Sequence, residues 1–400
     1  MRMRFPKFIM VFILLIIISS PTFFNYAEAQ CESKNLSENI YNQSRPRVAV
    51  IGDVVHVVWE GNSQGSNILY KRSTDGGNTW VSPIAITNNP ANQQNPDITA
   101  YEDNVYVVWE DKRNFGRTGS DIYIKRSKDG GNSWESEEQL TFNANQWDPR
   151  IAAYNEYVHL AWLDERNMAS TNYDIYYRRS VDAGLSWDSE QRLTSNPSIQ
   201  WRQSIAAYGD NVYVVYEDHR EWHYPPGGSK GIIVYYARSI DGGKTWLTEN
   251  RLPTEGAWQQ YPDVAAIEDR VYITWSDFRA FFDSWIDIWL IASTDYGETW
   301  SNDTRITTDS KIQNYPRIAV ADKTVHLVWQ DLRNAEYMGM DLYYTSGDLS
   351  ATNWETPIKL SEHQWQYNQA IATSSEQAHI VWTEEQMWET NGKEVFYCSR

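Results

Sequence analysis

The segment 217–231 gathers charged and aromatic residues whose chemistry suits ligand binding. A guanidinium donates paired hydrogen bonds to anions, and aromatic rings pack against the apolar faces of a ligand. Trp201 and Arg202 arrive from the connection that precedes this segment. We therefore predict a cleft here for an anionic or hydroxyl-rich ligand, and carbohydrate fits this description best. The candidate ligand-binding residues are Arg220, Trp222, His223, Tyr224, Trp201, Arg202 and Arg150.

Carboxylates in the same region raise the question of catalysis. Glycoside cleavage needs two suitably spaced carboxylates or, in some enzymes, a tyrosine nucleophile. Asp218, Glu217 and Tyr224 are the candidates in this segment, and further candidates lie in other loops, namely Asp283, Glu384, Glu385 and Tyr337. Spacing along the chain does not choose between them, so the catalytic residues stay unknown at this point.

A second set of charged residues recurs at one position of a repeat. The seven equivalent residues are Arg47, Asp97, Arg150, Ser204, Asp263, Arg317 and Ala370. Opposite charges on neighbouring repeats predict ion pairs between them. The alternative is that Arg47, Arg150 and Arg317 together bind an anion.

Another pair of residues recurs at a separation of eight. Arg113 precedes Asp121 by eight residues, and Arg166, Arg279 and Arg333 each precede an aspartate in the same way. We expect these pairs to bridge the two strands of a hairpin. Gly231 stands where Arg220 would have its aspartate, so Arg220 is predicted to lack a partner.

Aromatic residues precede a strand in several repeats. These are Trp147, Trp258, Tyr261, Tyr315 and Trp365. They form either an aromatic rim around the same face or caps at the junctions between repeats.

Composition and motifs exclude several kinds of chemistry. His219 and His223 have a metal-like separation, but no third ligand follows at a suitable spacing, so neither a metal nor a cofactor is predicted. No glycine-rich phosphate loop or serine-centred elbow occurs. The formal charge of -18 argues against nucleic acid and anionic lipid as partners.

A turn with the pattern Ser-x-Asp-x-Gly-x-Thr-Trp defines the repeat. Five clear copies begin at Ser73, Ser127, Ser180, Ser239 and Ser293, and a sixth, altered copy begins at Ser346. Glycine allows a backbone conformation closed to other residues, and the aspartate bonds nearby backbone groups. The predicted structural aspartates are Asp75, Asp129, Asp182, Asp241, Asp295 and Asp348.

Four short strands recur at a period of about 54 residues. A short strand, an aromatic strand such as 56–59, a third strand, the turn and a fourth strand make one unit. This order is typical of an all-β propeller. Counting the aromatic strands gives seven blades, whereas counting the turns gives six as the alternative. The predicted blades are 46–92, 93–145, 146–199, 200–257, 258–312, 313–364 and 365–400 with 31–40.

The last unit ends without a fourth strand, and the segment 35–39 resembles the fourth strand at 359–363. The start of the chain is therefore predicted to complete the last blade. Cys31 and Cys398 then lie on neighbouring strands, either as a disulfide or as two free thiols.

Residues 1–29 have the pattern of a secretory signal: a basic start, an apolar stretch at 8–18 and Ala27-Glu-Ala29 before the cleavage site. The apolar stretch is shorter than the roughly 20 residues of a spanning helix. We expect residues 30–400 to form one propeller domain that is secreted or on the cell surface, monomeric and not inserted in a membrane.

The turn resembles the Asp-box, or BNR repeat, of the sialidase superfamily over nearly the whole mature chain. The resemblance implies a propeller. Sialidases of the superfamily bind a substrate carboxylate with three arginines and use an aspartate acid/base with a tyrosine nucleophile assisted by a glutamate. Their first arginine stands in an Arg-Ile-Pro signature, whereas here Pro46 precedes Arg47. Their propellers typically have six blades.

Three functions remain open on this basis. The first is recognition of glycans or glycosylated partners on the upper face of the propeller. The second is hydrolysis by a sialidase-like exo-glycosidase, and the third is a structural or assembly role at the cell surface. Fold alone does not decide between them.

Overall fold

The computed structural model describes residues 31–37, 42–62, 65–222, 231–255, 258–279, 285–334, 339–360, 365–375, 377–385 and 392–400. Its strands form seven four-stranded antiparallel sheets. The first strands of neighbouring sheets lie side by side, so each sheet is a blade that radiates from a common axis. The protein is thus a seven-bladed β-propeller, and the alternative of six blades is wrong.

In blades one to six the strands follow chain order from the axis outward. Blades one to three contain β2 (Gln43–Ile51), β3 (Val54–Asn62), β4 (Ser66–Ser73) and β5 (Ile84–Ala85); β6 (Gln93–Tyr101), β7 (Asn104–Asp111), β8 (Asp121–Ser127) and β9 (Glu138–Gln139); and β10 (Gln146–Tyr154), β11 (Tyr157–Asp164), β12 (Asp174–Ser180) and β13 (Gln191–Arg192). Blades four to six contain β14 (Gln200–Tyr208), β15 (Asn211–Asp218), β16 (Ile233–Ser239) and β17 (Asn250–Arg251); β18 (Gln259–Ile267), β19 (Arg270–Asp277), β20 (Asp287–Ser293) and β21 (Thr304–Arg305); and β22 (Gln313–Ala321), β23 (Thr324–Asp331), β24 (Asp341–Asp348) and β25 (Ile358–Lys359).

Blade seven joins the two ends of the described chain. Its strands are β26 (Gln366–Thr373), β27 (Ala378–Glu385), β28 (Lys393–Ser399) and β1 (Lys34–Asn35). Lys34 pairs with Tyr397, and Cys31 forms a disulfide with Cys398. Both predictions about the closure of the ring are confirmed. One short helix, α1 (Met168–Thr171), lies in a loop of blade three.

The core consists of the faces where neighbouring blades pack. Six blades place a fully buried tryptophan on the second strand, as at Trp109 and Trp162. Each indole needs a hydrogen-bond acceptor because it is shielded from water. In blades two and three the acceptor is the aspartate two residues later, Asp111 or Asp164, at 3.1 Å. Successive residues of the second strand point to opposite faces of the blade, and both faces carry aromatic and aliphatic side chains, so the strand fills both blade interfaces.

The recurring turn lies at one end of the blades, which we call the lower face. In blade one, Asp75 accepts hydrogen bonds from the backbone of Thr79 at 2.8 Å and from its hydroxyl at 2.6 Å. These bonds lower the pKa of Asp75 to about 2. The hairpin between β2 and β3 lies at the same end of the blade. The amide of Gly76 in the turn donates a hydrogen bond to the carbonyl of Asp53 in that hairpin, at 2.8 Å.

The second glycine of the turn lets the blades approach one another. Gly243 has φ +79°, and a Cβ added there would lie 1.8 Å from the hydroxyl of Tyr177 in the preceding blade. The same relationship joins Gly131 to Tyr70 and Gly77 to Tyr397. The turn is thus a contact between blades as well as a connection within one.

Candidate active site at the upper mouth

Each inner strand has a bulge near its start, at the end of the blades that we call the upper face. In every blade one non-glycine residue of the bulge has left-handed backbone, with φ between 51° and 55°. Such a conformation costs about 1 kcal/mol or more and persists where surrounding contacts enforce it. The seven bulge residues are Arg45, Asn95, Asp148, Arg202, Tyr261, Tyr315 and Asn368.

Polar groups of the preceding blade hold the backbone of several bulge residues. The carboxylate of Glu60 accepts the amide of Asn95 at 2.5 Å, and Glu217 accepts the amide of Tyr261 at 2.7 Å. Both glutamates are buried. They therefore fix the direction in which the bulge side chains enter the centre of the ring.

The bulge residues line a cavity of about 380 Å³, which we call the upper cavity. The ring of residues two positions further along each inner strand, including Arg47, Arg150 and Arg317, also lines it. This volume lies within the range of about 300–1,000 Å³ for small-ligand sites. All seven inner strands thus contribute residues to this site at the concave centre of the ring.

The bulge arginines are already paired with glutamates. Arg45 lies 2.9 Å from Glu60, and Arg202 lies 3.0 Å from Glu217. The guanidinium of Arg202 also lies over the ring of Tyr261, 4.1 Å from its centroid. These two cations are therefore positioned by protein groups, with little charge left unbalanced.

The deeper arginines are balanced unevenly. Arg150 lies 2.9 Å from Asp148, and Arg47 lies 3.6 Å from Asp97 of the next blade. Arg317 has no ion-pair partner within the described ranges and donates only to the carbonyl of Pro316, at 3.4 Å. The prediction of ion pairs between blades thus holds for Arg47, whereas Arg150 pairs within its own blade.

Charge in the upper cavity is also polarised around the ring. Asp97, Asp148 and Asp263 come from blades two, three and five, whereas blades six, seven and one contribute Arg317, Ala370 and Arg47 at the deeper position. Burial, together with repulsion from Arg150 and Arg317, lowers the pKa of Arg47 to about 10. Among the described residues, blades six, seven and one therefore contribute no carboxylate to the lining of the cavity.

The pKa of the neighbouring Asp97 carboxyl group is shifted upward. Burial raises its pKa, although Arg150 and Arg47 oppose the shift. Asp97 also accepts the amide of Ile151 in the next blade at 2.9 Å. A carboxyl group in a cavity whose pKa is raised is a candidate proton donor.

The residues predicted in blade four separate into two groups. Arg202 lines the upper cavity together with Arg150 of blade three. Trp201 lies beside them and donates its indole N–H to Glu217 at 2.8 Å. Arg220 and Trp222 do not line this cavity, and His223 and Tyr224 lie outside the described residues.

The prediction that Arg220 lacks a partner is wrong. Arg220 lies 2.6 Å from Asp218 and 2.7 Å from Glu249. Glu249 also accepts the hydroxyl of Tyr216, which replaces the tryptophan of the other blades. The departure of blade four from the repeat is therefore compensated locally, and Asp218 and Glu217 are both buried and fully bonded.

The predicted Arg–Asp pairs eight residues apart are also wrong. Arg113 folds back on Asp111, two residues before it, at 2.7 Å, and reaches Glu137 at 2.6 Å. Asp121 instead accepts hydrogen bonds from Asn114 and Thr118. The turn after the second strand brings the arginine backbone N–H and guanidinium onto one carboxylate, which satisfies both at short range.

Only some of the aromatic residues that were predicted to form a rim lie at the upper cavity. Tyr261 and Tyr315 line the upper cavity with ring centroids 4.0 Å apart. Trp147 packs against Tyr173 at 5.5 Å, and Trp258 lies beside Phe278 at 6.2 Å, so these tryptophans cap loops. Trp365 does not line the cavity.

The tyrosines present do not resemble an activated nucleophile. Burial, and then a hydrogen bond with Tyr315, raises the pKa of Tyr261 above its usual value. Tyr367 donates to Glu385 at 3.2 Å outside the cavity, and burial with the Glu385 charge likewise raises its pKa. Asp283 and Tyr337 lie outside the described residues. Glu384 is buried beside Trp382 at 3.3 Å.

The bulge residues Arg45, Asn95 and Asp148 were missed from the sequence. Their position is the sequence feature that could have identified them, because in five blades the bulge residue immediately precedes a proline. In the other two blades glutamine replaces the proline, and Gln203 donates to the carbonyl of Asp148 at 2.5 Å. Within the described ranges, no group of three metal-ligating side chains occurs, and no helix there has the length and apolar character to cross a membrane.

No family model and no curated protein matches the sequence. Solved structures do share the fold. An α-L-arabinofuranosidase of Fusarium graminearum has a TM-score of 0.56 at 14% identity, covering 79% of this chain and 98% of its own. An α-L-arabinanase of Penicillium chrysogenum in complex with arabinobiose has a TM-score of 0.53 at 14% identity, covering 80% and 99%. The endosialidase of phage phi92 has a TM-score of 0.53 at 8% identity, covering 92% and 69%.

Proposed function

We propose that the protein is an extracellular glycan-recognising propeller whose upper cavity binds a sugar that carries an anionic group. The carrying observation is that Arg47, Arg150 and Arg317 share one cavity in which the pKa of Arg47 is lowered to about 10. A bound carboxylate near Arg47 and Arg317 would offset their repulsion. Asp97, Asp148 and Asp263 on the other side are suited to accept sugar hydroxyls.

The names of the solved structures support carbohydrate as the ligand class. They include enzymes that act on arabinose-containing and sialic-acid-containing glycans, two of them in complex with arabinobiose. Their identities of 8–14% leave the specificity of this chain to its own residues. A polarised cavity favours an acidic sugar over neutral arabinose.

The test is calorimetric binding of acidic and matched neutral sugars, such as glucuronate against glucose and sialyllactose against lactose. The wild-type mature chain should prefer the acidic member of each pair at least tenfold, and Arg317→Ala should remove that preference. Arg117→Ala is the matched control, because Arg117 lies on an exposed loop and outside the cavity. Equal affinity for both members of each pair would contradict the proposal.

Hydrolysis is the second candidate, and the raised pKa of Asp97 is the observation that favours it. Asp97 would act as the general acid, and Asp148 or Asp263 would act as the base or nucleophile. Aryl arabinofuranosides, glucuronides and sialosides provide the assay. Turnover that Asp97→Asn reduces at least a hundredfold without loss of binding would favour the enzyme over the binding module. If the protein shows no binding and no turnover, the structural or assembly role is favoured.

The family and location follow from the same proposal. The Ser-x-Asp-x-Gly-x-Thr-Trp turns have the hydrogen bonds expected if they are Asp-box repeats of the sialidase superfamily. Export fits the N-terminal pattern and the Cys31–Cys398 disulfide. N-terminal sequencing of the protein recovered from the medium should begin at Gln30, and the recovered chain should be a monomer by light scattering.

A further inference from the structure

The lower mouth of the ring carries three tyrosines that the repeat does not require. The inner strands of blades two, three and four end in Tyr101, Tyr154 and Tyr208. The inner strands of blades one, five and six end in Ile51, Ile267 and Ala321. An aliphatic or small residue therefore satisfies the packing at this position, and the tyrosines need another explanation.

The three rings form one continuous strip. The centroids of Tyr101 and Tyr154 are 5.3 Å apart, and those of Tyr154 and Tyr208 are 4.6 Å apart. All three side chains are only partly buried. Aromatic groups that stay partly exposed in three consecutive blades provide a ledge against which an apolar ligand face can pack.

A cleft of about 570 Å³ opens beside this strip, between blades two and three. Tyr101 and Tyr157 form its aromatic walls, and Glu102, Asn104, Asn155 and Glu156 supply its polar groups. None of the residues that line the cleft is basic. Its volume is within the range of about 300–1,000 Å³ for small-ligand sites.

The chemistry of this cleft differs from that of the upper cavity. Amides and carboxylates match the donors and acceptors of sugar hydroxyls, whereas two carboxylates repel an anionic ligand. A strip of rings matches the C–H faces of successive sugar units more closely than it matches a single cation. The cleft and strip together thus suit a neutral oligosaccharide.

We propose that the strip Tyr101–Tyr154–Tyr208 and the adjoining cleft form a second glycan site, specific for neutral sugars, on the face opposite the upper cavity. The two sites lie at opposite ends of the inner strands. One molecule can therefore hold a neutral glycan chain on its lower face while the upper cavity remains open to a different, acidic ligand.

The repeat supplies the variant that tests this proposal. Tyr101→Ile combined with Tyr154→Ile introduces the residue already present at Ile51 and Ile267, so the fold should be kept. Affinity electrophoresis in gels that contain arabinan, xylan, galactan or hydroxyethylcellulose measures binding, and thermal unfolding checks that the variant is folded. The wild-type mature chain should be retarded by at least one of these neutral polymers.

We expect the double variant to lose at least tenfold in affinity for that polymer while Arg317→Ala retains it. Wild-type migration unaffected by all four polymers would overturn the proposal. So would equal retardation of wild type and double variant, or retardation of the wild type by poly-lysine alone. These outcomes are independent of the upper cavity, because binding of acidic sugars is measured on the same samples.

Discussion

The Nε atom of Arg47 lies 3.6 Å from Asp97 Oδ1 in the next blade, yet burial, and then repulsion from Arg150 and Arg317, lowers the pKa of Arg47. One carboxylate therefore does not balance the positive charge on this side of the upper cavity. We predict that glucuronate raises the melting temperature of the mature chain, whereas glucose at the same concentration leaves it unchanged.

The same experiment separates a specific site from a general salt effect. Arg317→Ala should abolish most of the shift with glucuronate, and Arg117→Ala should leave it intact. Equal shifts in the two variants would place the anion elsewhere on the protein. Differential scanning fluorimetry at constant ionic strength provides the measurement.

Four of the buried histidines have lowered pKa values, which predicts an acid-sensitive fold. Burial lowers the pKa of His56, His326 and His379 to about 4, and that of His159 to about 3. The unfolded chain takes up protons near pH 6.5, whereas the folded chain does not. The resulting stability is complete above about pH 6.5 and falls as the pH drops toward 4. Urea midpoints at pH 7.5, 5.5 and 4.5 should decrease in that order.

One blade shows how to remove part of this dependence. His159 Nδ1 lies 2.7 Å from the hydroxyl of Tyr177, and blade two has Tyr106 and Ile124 at the equivalent positions. The double variant His159→Tyr with Tyr177→Ile should therefore lose less stability than wild type between pH 7.5 and 4.5. An unchanged pH dependence would mean that other groups control acid unfolding.

The turn glycine at 243 should be far less tolerant than an open glycine of similar backbone. Gly243→Ala places a methyl group 1.8 Å from the Tyr177 hydroxyl, whereas Gly209, with φ +58°, has no atom within 4 Å of the added carbon. We expect about 1 kcal/mol of lost stability for Gly209→Ala and roughly 1–3 kcal/mol more for Gly243→Ala. Urea unfolding of both variants at pH 7.5 checks this, and similar losses would rule out the contact between blades as the cause.

Loss of the disulfide should open the ring at one blade. The bond links residues 367 positions apart, so Cys31→Ser with Cys398→Ser should lower stability by roughly 2–5 kcal/mol. Thermal unfolding with and without reductant gives the size of the effect. A melting temperature equal to that of wild type would mean that β1 pairs with β28 strongly enough to close the ring unaided.

The scaffold could be predicted because its signals are local and repeated. The Ser73–Trp80 turn and the tryptophan at 59 or 109 recur in order, and both depend on contacts within a few residues or with the neighbouring blade. The 35–39 similarity identified the closing segment, although β1 itself covers only Lys34–Asn35.

The site could be predicted only in part, because its residues are brought together by the ring rather than by the chain. Arg150 and Arg202 were found through charge, but Arg45 and Asn95 face the cavity only because a bulge gives them left-handed backbone. Arg220 was misread because its second partner, Glu249, lies 29 residues further on. The departure of blade four from the repeat therefore indicated that Arg220 has a different partner, and not that it is unpaired.

The closure of blade seven has a consequence for how the molecule comes into being. Among the described strands, β1 precedes every other one, whereas its partner β28 follows all of them. Blades one to six can therefore form while β1 is still unpaired, and the ring closes only when β28 pairs with β1. A copy that loses β1 to proteolysis leaves the outer edge of β28 unpaired, and that open strand edge is available to another chain.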